Sequence, residues 1–259
     1  RQLRQAKEQV EILQQELADA VDPEEPARSL DPAAPEAAPA GITIPAPDCD
    51  AGDGQRGYLL PKVGCVPLDA TELDLAGSDV TDADLRKVTG LKALQELSLF
   101  GTEVSDIDAL AGLSELQVLW LTLTQVDSVD ALSELKQLQQ LHLGGTEVSD
   151  IDLLAGLTDL QALTLWLTQI DNIDALSGLT GLQELWLGFT EVSDIDALAG
   201  LTGLRSLRLR GAPIGDLSPL RTLTALHDLR TPDGTSLGNI LEDTPETRAE
   251  VRAWIEANT

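Results

Sequence analysis

Residues 91–112 read LKALQELSLFGTEVSDIDALAG, and the same pattern returns every 22 residues. Leu91, Leu113, Leu135, Leu157, Leu179, Leu201 and Leu223 hold equivalent places. The template LxxLxxLxLxxTxVxxIxxLxx fits six consecutive units from 91 to 222, the sixth with Ala212 at the Thr place. An earlier imperfect unit holds ELDLAGSDV, with Leu73, Leu75 and Val80 matching, and a degenerate unit begins at Leu223. Units at 91, 135 and 179 carry TEVSDID, whereas those at 113 and 157 carry TQVDSVD and TQIDNID. A 44-residue period therefore overlies the 22-residue one and points to duplication of a two-unit block.

Within one unit, ELSLF alternates with period two: Leu97 and Leu99 point one way, and Glu96, Ser98 and Phe100 the other. One short strand per unit, stacked unit on unit, predicts a parallel sheet along one side of a solenoid. Leu94, Val104, Ile107, Leu110 and Leu113 close the core from the other side, each unit burying its leucines only against its neighbours. Strands are expected near Leu73, Leu97, Leu119, Leu141, Leu163, Leu185 and Leu207, with deep burial of the paired leucines and low burial of the residues between them.

Two polar columns run through the repeats. Thr102, Thr124, Thr146, Thr168 and Thr190 occupy the place where a side chain can bond the backbone of the turn leaving the strand. Asp108, Asp130, Asp152, Asp174 and Asp196 invite a calcium reading, but carboxylates stacked at strand spacing repel one another. In the sixth unit the place is held by Ser218 followed by Pro219, which is the chemistry of a helix start. This column is therefore expected to cap short convex turns, and no metal or cofactor is expected.

The 259 residues carry a formal net charge of −27. Phosphate binding needs clustered Lys and Arg, so nucleic acid is not an expected partner, and anionic membrane surfaces are repelled. No apolar run approaches the 18 residues or more of a membrane span, so no direct membrane contact is expected. The chain holds no Met, so Arg1 is not read as a translation start. Cys49 and Cys65, close in sequence around a Gly-rich loop, are expected to form a disulfide in an oxidising compartment, two free thiols being the other reading.

Outside the repeats, residues 1–21 place Leu3, Ala6, Val10, Leu13, Leu17 and Ala20 at alternating three- and four-residue spacing. This predicts a helical coiled-coil stalk and self-association through it; an isolated amphipathic helix is the alternative. Residues 22–48 are a Pro- and Ala-rich linker, 49–72 a disulfide-bearing N-terminal cap, 73–240 the repeat domain, and 241–259 a C-terminal capping helix with Thr244 as N-cap and Pro245 as first helical residue.

The repeat, in phrases such as EVSDIDALAGLTGL and PIGDLSPLRTLTAL, resembles the 22-residue leucine-rich repeat of bacterial internalin-type proteins over residues 65–240. The resemblance implies an α/β repeat solenoid: a curved leucine-rich-repeat domain with a parallel concave sheet, short helical or 3-10 convex turns, a secreted or cell-surface setting, and protein recognition on the concave face. The chain departs from the family in having Thr where Asn is usual. Its Cys49–Cys65 region does not look like the family's helical N-terminal cap.

The strand code then fixes what the concave face presents. One column reads Ser98, Trp120, His142, Thr164, Trp186, Arg208, Arg230; the next reads Phe100, Thr122, Gly144, Trp166, Gly188, Arg210. Phe189 lies just past the strand in a rim column with Leu123 and Leu167. Strand spacing makes Phe100–Trp120 and Trp166–Trp186 diagonal neighbours, with His142 between the pairs and Gly144 and Gly188 leaving open space. Clustered rings typify interface hot spots; rings that merely cover one another are the structural alternative. Arg208, Arg210 and Arg230 make one end basic, with Arg205 and Arg221 near them in sequence, which points to an acidic patch on the partner.

The expected function is a non-catalytic protein- or peptide-binding module using Phe100, Trp120, His142, Trp166, Trp186, Phe189, Arg208, Arg210 and Arg230. Two His, one Tyr and two Cys, without a nucleophile and base side by side, give an enzyme nothing to work with. A carbohydrate-binding surface receptor and a structural spacer without ligand are the alternatives. Glycan binding should be insensitive to the Arg set, whereas an acidic protein patch should be released by salt.

Overall fold

The computed structural model describes residues 48–52, 55–61, 63–238 and 243–259. The predicted coiled coil at 1–21 and nearly all of the 22–48 linker lie outside the described residues.

Among the described residues, eight parallel strands, one per unit, make up most of a nine-stranded sheet: β4 (Glu72–Asp74), β5 (Glu96–Ser98), β6 (Val118–Trp120), β7 (Gln140–His142), β8 (Ala162–Thr164), β9 (Glu184–Trp186), β10 (Ser206–Arg208) and β11 (Asp228–Arg230). Their register matches equivalent residues across every step, so Leu97 faces Leu119, Leu119 faces Leu141, and so on to Leu229. A strictly repeated sequence allows no other register, because a one-residue slip would turn the leucines outward. The leucines at the strand centres from Leu97 to Leu229 are 0% exposed, and the core runs unbroken from Tyr58 to Ile255.

The chain returns along the convex side through 3-10 turns at Asp108–Leu110, Asp130–Leu132, Asp152–Gly156, Asp174–Gly178, Asp196–Gly200 and Ser218–Thr222. The earliest unit instead makes an α-helix there, α1 (Asp82–Val88), burying Leu85 and Val88. The Thr column behaves as read: Thr102, Thr124, Thr146, Thr168 and Thr190 each donate to the backbone oxygen three residues back at 2.6–2.8 Å. The Asp column does not cap its turns. Asp108 and its equivalents are the first residues of the turns, and their backbone N–H groups donate to a side-chain oxygen two residues earlier. The acceptors are Asp106, Ser128, Asp150, Asn172, Asp194 and Asp216, at 2.7–3.1 Å. A 3-10 turn this short starts at the residue itself, so the capping acceptor falls outside it, as in an Asx turn.

Both ends of the stack are covered. At the N-terminal end, β1 (Cys49–Gly52), β2 (Gln55–Leu60) and β3 (Gly64–Pro67) form an antiparallel sheet whose Tyr58, Leu60 and Val66 are buried. Cys49 and Cys65 are disulfide-bonded, with Cα atoms 5.9 Å apart, on strands that flank β2. The bond crosses Gly57, where an added Cβ would lie 3.2 Å from Cys65 Sγ and 2.2 Å from the Val66 oxygen. At the other end β12 (Ser236–Gly238) runs antiparallel to β11. The helix α2 (Pro245–Asn258) buries Val251 and Ile255, with Thr244 Oγ1 accepting from the Thr247 N–H at 3.2 Å. No described helix is long and apolar enough to cross a membrane.

Candidate functional site

Because the strands are in register, every second residue shares one face, and that face is a grid of three columns. The two columns read from sequence are joined by a third that precedes the central leucine: Glu72, Glu96, Val118, Gln140, Ala162, Glu184, Ser206 and Asp228. The alternation that placed Glu96 on this face carried the signal for the whole column.

The Trp rings do not pair diagonally as expected; they pair along a column, and only Phe189 on the rim meets a residue of the next column. Trp120 stacks on His142, ring centroids 3.7 Å apart and planes 13° from parallel. The Arg208 guanidinium sits 3.9 Å above the Trp186 ring, and Arg210 5.7 Å from the ring of Phe189. Adjacent parallel strands put equivalent side chains about 4.8 Å apart, close to the stacking distance of flat groups, while diagonal positions are further. Trp166 is a second correction. Only 8% exposed, it lies over Gly144, where an added Cβ would be 2.2 Å from the indole. The space left by Gly144 is filled by the chain's own ring rather than kept open. Phe100, Trp120, His142, Trp186, Arg208, Arg210 and Arg230 are half-buried, as is Phe189 on the rim. Arg205 and Arg221 are exposed, and Arg221 bonds Thr259 Oγ1 near the C-terminus.

Leu123, Leu167 and Phe189 share a rim position with φ of 58°, 53° and 57°. The left-handed region costs a side chain with a Cβ about 1 kcal/mol or more, and other units place Gly101 and Gly145 there. Leu123 and Leu167 are also 44% and 38% exposed. The three residues hold apolar bulk at the sheet edge against both backbone preference and water.

The basic end contains a polar network that the sequence reading missed. Asp228, with its side chain 1% exposed, accepts from Ser206 Oγ at 2.6 Å and faces Arg230 Nη1 at 3.4 Å. Burial raises the Glu184 pKa, Arg208 opposing this and Asp228 adding to it. At the other end burial, and then the neighbouring Glu72, raise the pKa of Glu96. In the middle, burial pushes His142 down from 6.5 to about 4, so the ring is neutral at pH 7. Its Nδ1 lies 3.4 Å from Thr164 Oγ1, while its Nε2 and the Trp186 Nε1 are buried without a hydrogen-bond partner among the described residues.

That shift predicts a pH dependence. Folding holds His142 neutral, whereas the unfolded chain takes up its proton near 6.5, so stability falls as pH drops through about 6.5 towards 4. Denaturant unfolding of the parent protein and of His142→Gln at several pH values should show a shallower decline in the variant across that window. Parallel curves would show that the imidazole does not titrate this way.

Among the described residues no group of three or more His, Cys, Asp or Glu is arranged to hold a metal ion.

No protein-family model and no curated protein matches the chain. Solved structures do. An internalin (inlF) from Listeria monocytogenes is 32% identical with a TM-score of 0.59, the match covering 64% of this chain and 49% of that one. An internalin C2 (inlC2) from the same organism is 34% identical with a TM-score of 0.59, covering 63% and 73% respectively. A leucine-rich repeat protein of Leptospira interrogans shares the fold at 22% identity and a TM-score of 0.54. The chain thus spans about half the length of the first of these and almost three quarters of the second.

Proposed function

The chain belongs to the internalin-type leucine-rich repeat proteins, and we propose that it is a non-catalytic module binding a protein or peptide on its concave face. The observation that carries this reading is the pair of stacks across the sheet, Trp120 on His142 and Arg208 on Trp186. They keep large flat groups half-buried on a rigid scaffold, with buried nitrogens that no described group satisfies. Native interiors rarely leave such nitrogens unmet, and rings held by neighbours lose little entropy on docking. The exposed rim leucines extend the apolar area. The Trp120 and Trp186 rings each have one face covered, by His142 and by Arg208.

Within this reading Arg208, Arg210 and Arg230 meet an acidic patch and set orientation and association rate. The disulfide supports a setting outside the cytoplasm. Residues 1–21 supply self-association.

The test is Trp186→Ala. Binders selected from a displayed peptide library against the full chain should lose about 2 kcal/mol, roughly 30-fold, when this ring is removed. The melting temperature should change little, since the ring lies outside the leucine core. A variant that binds normally but unfolds early would make the ring structural and favour the spacer reading.

A further inference from the structure

Charge on the concave face is sorted along the solenoid. The first two strands present Glu72, Asp74 and Glu96, and among the described residues no Lys or Arg forms an ion pair with any of them. The next three strands present Val118, Trp120, Gln140, His142, Ala162 and Thr164, none charged at pH 7 given the lowered pKa of His142. The next strand, β9, presents Glu184 and Trp186, and the last two present Arg208, Arg210 and Arg230. Of the carboxylates towards that end, Asp228 is buried on Ser206 and Arg230, while Glu184 on β9 is half-buried, as Glu96 is, and its carboxyl feels the Arg208 charge.

Stacked repeats do not require this. Each unit folds on its leucines, so face residues are free to vary, and a net charge of −27 would by itself put carboxylates at both ends. At the acidic end Glu72 and Glu96 are directly paired across neighbouring strands, a like-charge juxtaposition that destabilises a sheet unless a cation meets it. At the other end guanidinium groups, two of them over rings, are suited to planar carboxylates. Between the ends lie the unsatisfied Nε2 of His142 and Nε1 of Trp186.

We infer that the partner is a protein segment polarised along its length, with basic residues against β4 and β5, an apolar middle with a few hydrogen-bonding groups, and acidic residues against β10 and β11. The inference rests on the concave face being the binding face. Six strand steps at about 4.8 Å separate the ends by about 29 Å. That is the length of a helix of about 19 residues or an extended segment of about 9. The wrong orientation would set like charges together at both ends, so one arrangement is selected.

Two synthetic 20-residue helical peptides test this. They share one composition and one central Leu–Tyr stripe; in the first, Lys is gathered at one end and Glu at the other, and in the second the two are evenly interleaved. The full chain should bind the sorted peptide at least about tenfold more tightly at low salt, with the advantage shrinking as salt is raised. A nitroxide at the Glu end of the sorted peptide should broaden amide signals of residues 206–211 and leave those of 72–77. Arg208→Glu with Arg210→Glu should abolish the preference.

Equal affinities, broadening at both ends, or no binding of either peptide would overturn the polarised partner. So would a concentration-dependent rise in mass of the protein alone, mapped to this face, which would assign it to a second copy. Equal affinities that both fall with Trp186→Ala would leave the concave face as the binding face while removing the polarity.

Discussion

Leu141→Ala should lower the stability of the repeat domain by about 3 kcal/mol or more. Leu141 is 0% exposed, and so are its partners on either side, Leu119 and Leu163. The deletion removes apolar contacts and opens a cavity between two neighbouring coils that are both pinned by their own leucines and therefore cannot collapse into it. A solenoid has no contacts that skip units, so a weak central unit also weakens the coupling between the two halves. Denaturant unfolding should move to lower concentration, and fluorescence of Trp120 and of Trp186, on opposite sides of the lesion, should cease to report one shared transition in single-Trp versions of the variant. A loss below about 1 kcal/mol would mean that the coils can close on the gap and that the leucine ladder is less rigid than its burial implies.

The ladder was legible because its physics is local and repeated. A leucine buried between identical neighbours recurs with them, so six copies of one pattern state the strand, the register and the core face six times over. The Thr ladder was legible for the same reason: its hydrogen bond is made three residues back, within one unit. The turn cap was one step harder. The column that repeats as Asp starts the turn, while the acceptor two residues earlier varies between Asp106, Ser128 and Asn172, chemically equivalent but not identical, so it drew less notice.

The ends and the face were less legible. The cap strands β1 to β3, the closing strand β12 and the helix α1 have no second copy in the chain to confirm them. On the face, the columns followed from period two, but which flat group stacks on which depends on side-chain torsions. Trp166 could swing over Gly144 and Trp120 could choose His142 over Phe100 without any change in the repeat. The buried Asp228 with Ser206 sits in a column that mixes carboxylates with apolar and neutral polar residues, so the pattern did not mark its burial.

Opening the Cys49–Cys65 bond should have the second large effect, about 3 kcal/mol for a loop closed over a sequence separation of 16. The first repeat has no earlier coil to cover it. Tyr58, 2% exposed and packed on Gly90, stands in that place beside Leu85 and Val88. The sheet that presents Tyr58 is small and gains little from its own core, so the crosslink between its flanking strands and the contact of Asp48 with Lys87 at 2.7 Å hold it in position. Thiol titration of the native protein should find no free Cys49 or Cys65.

In Cys49→Ser with Cys65→Ser, hydrogen exchange should accelerate first in residues 72–91 and least in units far from the cap, because a stack of nearest-neighbour contacts frays from its uncovered end. Exchange that accelerates evenly along the chain would mean that the repeats unfold as one cooperative body and that the cap stabilises all of them at once. Unchanged stability would mean that Tyr58 and the Asp48–Lys87 pair suffice without the crosslink. The two variants therefore probe the same property from different places: Leu141→Ala weakens the coupling between coils at the centre, and loss of the disulfide removes the cover from which that coupling is propagated.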